Sequence, residues 1–211
     1  MINSSKEKIL SKITAASKGR AVFVDTNISA NEQIYKPILP DTLTCFKTEL
    51  ETINGTCIIC ENESAVYSEI KKYTECKDII SVYCRDSYIA VQLQKTGIKA
   101  TNGMNDFISM QAGITGCEFL IARTGSVMVS SASESGRQMN VFPPIHLIVA
   151  HVSQMVELVE DAMIAIQKKY GDQLPSTIST ITGPSRTADI EKTLVLGAHG
   201  PKKLVVFLSK E

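Results

Sequence analysis

Thr56-Cys-Ile-Ile-Cys-Glu61, then Glu63 to Tyr73, then Asp78-Ile-Ile-Ser-Val-Tyr-Cys84: an apolar run, a stretch of helical period and a second apolar run. This alternation decides the fold. Short β-branched runs bounded by polar residues read as strands, and the longer periodic stretch between them reads as a helix. Toward the amino terminus, Asp41 stands where a side-chain oxygen caps a helix through Leu50, and Gly55 breaks that helix before the first strand. Toward the carboxyl terminus a further helix is expected near Ser87–Lys95. Strands alternating with helices predict an α/β domain on a largely parallel sheet.

The middle of the chain changes character. Gly113 to Ser131 holds two β-prone runs joined around Thr124-Gly125, which predicts a hairpin or a sharply bent strand pair. Ser130 to Gly136 is small and polar and reads as a loop, and Arg137 leads from it into a buried strand at Ile145–Ala150. Ser153 is expected to cap an amphipathic helix to about Tyr170, with Met155, Leu158, Val159, Ala162 and Ile166 on its apolar stripe. Ser176–Ile181 and Leu204–Leu208 read as the last strands. At the other end, Ser4 to Ser17 spaces Ile9, Leu10, Ile13 and Ala16 helically, with Glu7 at a capping-box position and Gly19 as the stop. A polar linker from about Asp25 follows, so the expected organisation is a helix and arm over residues 1–40 and an α/β domain over 41–211.

Composition sets bounds on function. Of 211 residues, 44% are hydrophobic and 21% charged, and Lys+Arg and Asp+Glu both total 22, giving net charge +0. That balance argues against a general nucleic-acid binder. No segment has the apolar length of a spanning helix, and the charged first residues do not resemble a signal peptide, so a cytoplasmic location is expected. The six cysteines should then be reduced thiols. Cys57 and Cys60 have C-x-x-C spacing inside a strand, where residues three apart face opposite ways, and no second pair or nearby histidine completes a metal set. No metal ligands and no iron–sulfur cluster are therefore expected of this chain alone.

The chemistry concentrates in Thr182-Gly-Pro-Ser-Arg-Thr-Ala-Asp-Ile-Glu-Lys-Thr-Leu-Val-Leu-Gly-Ala-His-Gly-Pro201. Gly183, Ser185, Arg186 and Thr187 at an expected helix start suit a carboxylate or phosphate. Asp189 and Glu191 would bind a cation, orient Arg186 or pair with it at the surface. His199, between Gly197 and Gly200, has the chemistry of a general acid or base, or of a turn residue bonded to backbone. Thr124, Gly125 and Ser126 supply hydroxyls and bendable backbone at the expected carboxyl end of a strand, where open α/β sheets bind ligands. Glu118 and Arg123 flank the strand between them, and His146 reads as a core histidine. Neither common nucleotide-binding glycine fingerprint occurs.

Gly113-Ile-Thr-Gly-x-Glu-Phe-x-Ile-Ala-x-Thr-Gly-Ser126, Phe142-Pro-Pro-Ile-His146, Gly183–Glu191 and Leu194-Val-Leu-Gly-x-His-Gly-Pro201 resemble the LUD domain, and more closely the lactate utilisation protein C (LutC/YkgG) family. The motifs carry the resemblance from about Gly113 onward. It implies a fold similar to the NagB/RpiA/CoA-transferase group: a three-layer α/β/α domain on a mainly parallel sheet, here with an N-terminal helical arm. It also implies an accessory role in oxidising L-lactate to pyruvate, with partner proteins that carry the iron–sulfur clusters. In that setting Arg186 and Arg137 would hold a small anionic or nucleotide-like ligand, with Ser185, Thr187, Thr124, Ser126, Gly183, Gly125, Gly200 and Glu191 around it. His199, Glu118 and Asp189 are the candidates for proton chemistry. A stand-alone sugar-phosphate isomerase or acyl/CoA-transferase-like enzyme, or a non-catalytic regulatory module, are the alternatives. Two departures from the family pattern stand out: Arg123 occupies a usually acidic position, and the loop before Arg137 carries Glu134.

Overall fold

The computed structural model describes residues 5–17, 35–187 and 195–211. The chain divides into two compact units, Met1–Pro37 and Ile38–Glu211. In the first, α1 (Ser5–Ser17) carries exposed Ile9, Leu10 and Ile13. The expected stop at Gly19 and most of the expected linker lie outside the described residues.

The second unit begins with α2 (Thr42–Thr52), β1 (Thr56–Cys60), α3 (Glu63–Cys76), β2 (Val82–Cys84) and α4 (Ser87–Lys95). It continues with β3 (Ala100–Thr101), α5 (Met104–Ser109), β4 (Ala112–Thr115), β5 (Phe119–Ile121) and β6 (Ser126–Ser130). After these come β7 (Ile145–His151), β8 (Met155–Val156), α6 (Val159–Tyr170), β9 (Ile178–Ile181), β10 (Arg186–Thr187), β11 (Val195–Leu196) and β12 (Lys203–Ser209). The helix starts obey local chemistry. Asp41 accepts from the Thr44 amide at 2.8 Å, Asn62 from Ala65 at 2.9 Å and Asp86 from Ile89 at 2.9 Å, each satisfying a backbone donor that the first turn leaves free.

Six strands form one parallel sheet in the order β1-β12-β7-β4-β2-β3. Both faces are covered, so β12 reads as a nearly continuous apolar run. On one face, Val66 and Ile70 of α3 and Ile89 and Leu93 of α4 pack on Ile114, Leu147, Val205 and Phe207. On the other, Phe46 and Leu50 of α2 join Leu120, Val127 and Val129 against Ile148, Val206 and Leu208. The latter group comes from a second sheet, β8-β5-β6-β9, whose far side is closed by Ala162 and Ile166 of α6. The domain is α/β with a mainly parallel central sheet, as the alternation implied; its third layer combines one helix with a small mixed sheet.

Several local expectations are corrected. The strand expected from Asp78 is short, because Asp78 adopts φ 53° and the Ile79 amide returns to the Thr74 carbonyl, so these residues close α3. Gly113 joins the parallel sheet, and the hairpin is β5–β6 alone. Ser153 does not cap α6: β8 pairs first with Leu120 and Ile121, and the helix starts at Val159, where Asp161 accepts from the Leu158 amide at 3.0 Å. Among the described residues after Gly183, Arg186 and Thr187 pair with Leu196 and Val195 as an antiparallel ribbon.

Candidate functional site

The described sequence candidates separate into four places. Arg137, Gly183, Ser185, His199 and Gly200 line one cleft of about 440 Å3, beside β9 and the segments that enter β7 and β12. Turn chemistry builds it. Gly183 and Gly197 take φ of 76° and 74°, values that favour glycine, and a Cβ on Gly183 would sit 2.8 Å from the Ile53 carbonyl oxygen. The Ser185 amide donates to the Pro201 carbonyl at 2.8 Å and the Gly197 amide to the Ser185 carbonyl at 2.9 Å, so the two glycine-rich turns are clamped together. Arg137 donates to the Ser176 hydroxyl. His199 also borders an adjoining cavity of about 410 Å3 with Phe142 and Lys202. Among the described residues no carboxylate lines either cavity, while Arg137, His199 and Lys202 do.

Glu118 lies elsewhere, past the carboxyl end of β4, in a cavity of about 320 Å3. It is 9% exposed and accepts from Ser130 at 2.6 Å, Tyr170 at 2.7 Å and Lys169 at 2.8 Å. Burial alone would raise its pKa; the bonds from Lys169, Ser130 and Tyr170 outweigh burial and hold it below the ordinary carboxylate value. A carboxylate kept charged by three donors binds and orients well but is a weak base. Lys169 and Tyr170 escaped the sequence reading because they lie at the end of α6, 51 and 52 residues away, without a local motif to mark them.

Thr124, Gly125 and Ser126 line none of these three cavities. They pack on α2. Gly125 has φ 58°, and a Cβ there would meet the Leu50 amide nitrogen at 2.1 Å. The Thr124, Ser126 and Thr182 hydroxyls form a chain of 2.8 and 2.9 Å bonds that ties the turn to the end of β9. Arg186, exposed, and Thr187 stand on the β10–β11 ribbon outside the cleft lining. Asp189 and Glu191 lie outside the described residues. His146 is fully buried, as expected for a core histidine; its Nε2 lies 2.9 Å from the Thr115 hydroxyl, and its Nδ1 has no partner among the described residues.

The family model of the LUD domain matches residues 8–209. The chain belongs to the LUD domain family. Lactate utilization protein C of Bacillus subtilis is 37% identical over 98 residues, 46% of this chain and 41% of that protein. The YkgG protein of Escherichia coli is 30% identical over 115 residues, 54% of this chain and 50% of that protein. The chain thus spans between 41% and 50% of the length of these two relatives. In fold, a DUF162 family protein from Deinococcus radiodurans superposes with a TM-score of 0.60 at 17% identity, covering 80% of this chain and 96% of that one.

Arg123 and Glu134 both have partners within this LUD domain. Arg123 donates to Glu157 at 2.6 Å, joining the β5–β6 turn to the segment before α6. Glu134 accepts from the Ser87 amide at 2.7 Å and hydroxyl at 3.1 Å at the start of α4. Among the described residues no helix is long and apolar enough to cross a membrane, and no three His, Cys, Asp or Glu side chains converge as a metal site would require.

Proposed function

We propose that this LUD domain serves lactate utilization as an accessory subunit, presenting a small-anion site to a system whose iron–sulfur clusters reside in partner proteins. The observation that carries the reading is the convergence of Arg137, Ser185 and His199 on one cleft without a lining carboxylate among the described residues. L-Lactate and pyruvate each offer a carboxylate for Arg137 and a further oxygen for a hydroxyl such as Ser185. His199 adds an imidazole to the cleft lining. The resemblance to relatives named for lactate utilization gives this anion site its metabolic setting.

The test is genetic and biochemical together. Clean deletion of the chain in its host should abolish growth on L-lactate, and the tagged chain should co-purify with iron–sulfur proteins. The Arg137→Ala chain should fold, retain those partners and fail to restore growth. Normal growth on L-lactate after deletion would refute the proposal.

A further inference from the structure

Beyond the carboxyl ends of β2, β4 and β7 lies a separate crevice of about 190 Å3, bordered by Glu63, Tyr67, Asp86, Tyr88 and Gly116. Open parallel sheets bind ligands on this side. A Cβ on Gly116 would meet nothing within 4 Å, so the strand end opens directly into space. Tyr67 is only 3% exposed, and its hydroxyl has no hydrogen-bond partner among the described residues. Such a group is costly to bury and calls for a partner. Burial first, then the nearby charge of Glu63, pushes the phenol up, so it stays neutral; Tyr88 and Asp86 are also close enough to act on it. All three of those neighbours border the crevice, as Tyr67 itself does.

The surrounding charge selects the occupant. Asp86 accepts from the Ile89 amide, Glu63 from the Tyr88 hydroxyl and Glu134, on the adjoining cavity, from Ser87. These donors are neutral and cancel no charge. Lys169, the lysine bordering that cavity, is engaged by Glu118 at 2.8 Å. His151 borders the crevice with its Nδ1 3.1 Å from the Glu211 carbonyl oxygen. The region therefore repels anions and attracts cations. Its carboxylates are dispersed, with no three acidic, cysteine or histidine side chains converging among the described residues, which disfavours a bare metal ion. Separated carboxylates with phenol rings beside them suit an organic cation.

We propose that this crevice binds a small organic ammonium, with Asp86 and Glu63 balancing its charge and the Tyr67 hydroxyl accepting one of its N–H groups. The site is distinct from the anion cleft. Isothermal titration of the full chain with putrescine, butanediol and succinate separates charge from shape on one four-carbon skeleton. Putrescine should bind saturably and the other two should not. Asp86→Asn keeps an oxygen able to cap α4 while removing the charge. Tyr67→Phe removes only a hydroxyl that has no partner among the described residues, so it should fold without loss of Tm. Each should weaken putrescine binding about tenfold, the scale of one hydrogen bond to a charged group. Arg137→Ala should leave this binding unchanged, which keeps the result independent of the anion cleft. Absence of putrescine binding, equal binding of butanediol or succinate, or full affinity in Tyr67→Phe would overturn the proposal.

Discussion

Individual residues show most clearly where composition misleads. Gly125 has the makings of a ligand-loop residue, yet it is glycine because α2 backbone stands where a side chain would go. Gly125→Ala combines that overlap with a positive φ and should destabilise the domain by roughly 2–4 kcal/mol, measured by urea unfolding. Glu118 behaves differently. Its depressed pKa means that its bonds stabilise the fold above the ordinary value of 4.5 and that this contribution is lost as pH falls through the lower, folded value. Glu118→Gln should lower stability at neutral pH by about 1–2 kcal/mol and flatten the unfolding free energy below pH ~4.5. His146 acts in a higher window. Burial lowers its pKa from 6.5 to about 4, so the unfolded chain takes up a proton that the folded one refuses. Stability should fall by about 3 kcal/mol between pH ~6.5 and ~4, and His146→Gln should remove that slope whatever it does to stability at pH 7. His146 was legible as a core residue from its apolar strand. The donors around Glu118 were not, because tertiary pairing over fifty residues leaves no periodic trace.

At the scale of elements, the sequence carried what local physics controls. β1 was legible as a two-faced strand, and Cys57 and Cys60 indeed enter opposite cores. Both are free thiols, and burial pushes Cys57 up to about 12. In the native protein the exposed Cys76 should react with a thiol reagent first, and Cys57 and Cys60 should react only on unfolding; a Cys57–Cys60 disulfide in mild oxidant would contradict the strand assignment. The helix caps at Asp41 and Asp86 also follow local rules. The start of α6 does not, since the apolar residues Met155 and Val156 serve sheet pairing with β5 before the helical stripe begins. A stripe of period 3.6 contains pairs that fit a short strand equally well, and only the partner strand decides.

Across the whole molecule, parallel strands give the sheet two chemically different ends. The alternation of strands and helices made that sheet legible, but the order of its strands and the small sheet on its second face depend on long-range pairing. The same limit explains the candidate site: residues grouped by motif are divided among the α2 packing surface, the Glu118 cavity and the Arg137 cleft. The proposed anion cleft is bordered by Arg137, His199 and, next to it, Lys202, and the proposed cation crevice by Glu63 and Asp86. The central claim is that Arg137 anchors a small carboxylate in the first of these. Isothermal titration of L-lactate and pyruvate into the native and Arg137→Ala chains tests it most directly. Saturable binding by the native chain, weakened about tenfold or more by the substitution, is the predicted result. Equal affinity in the two proteins, or no binding of either acid by the folded native chain, would contradict it.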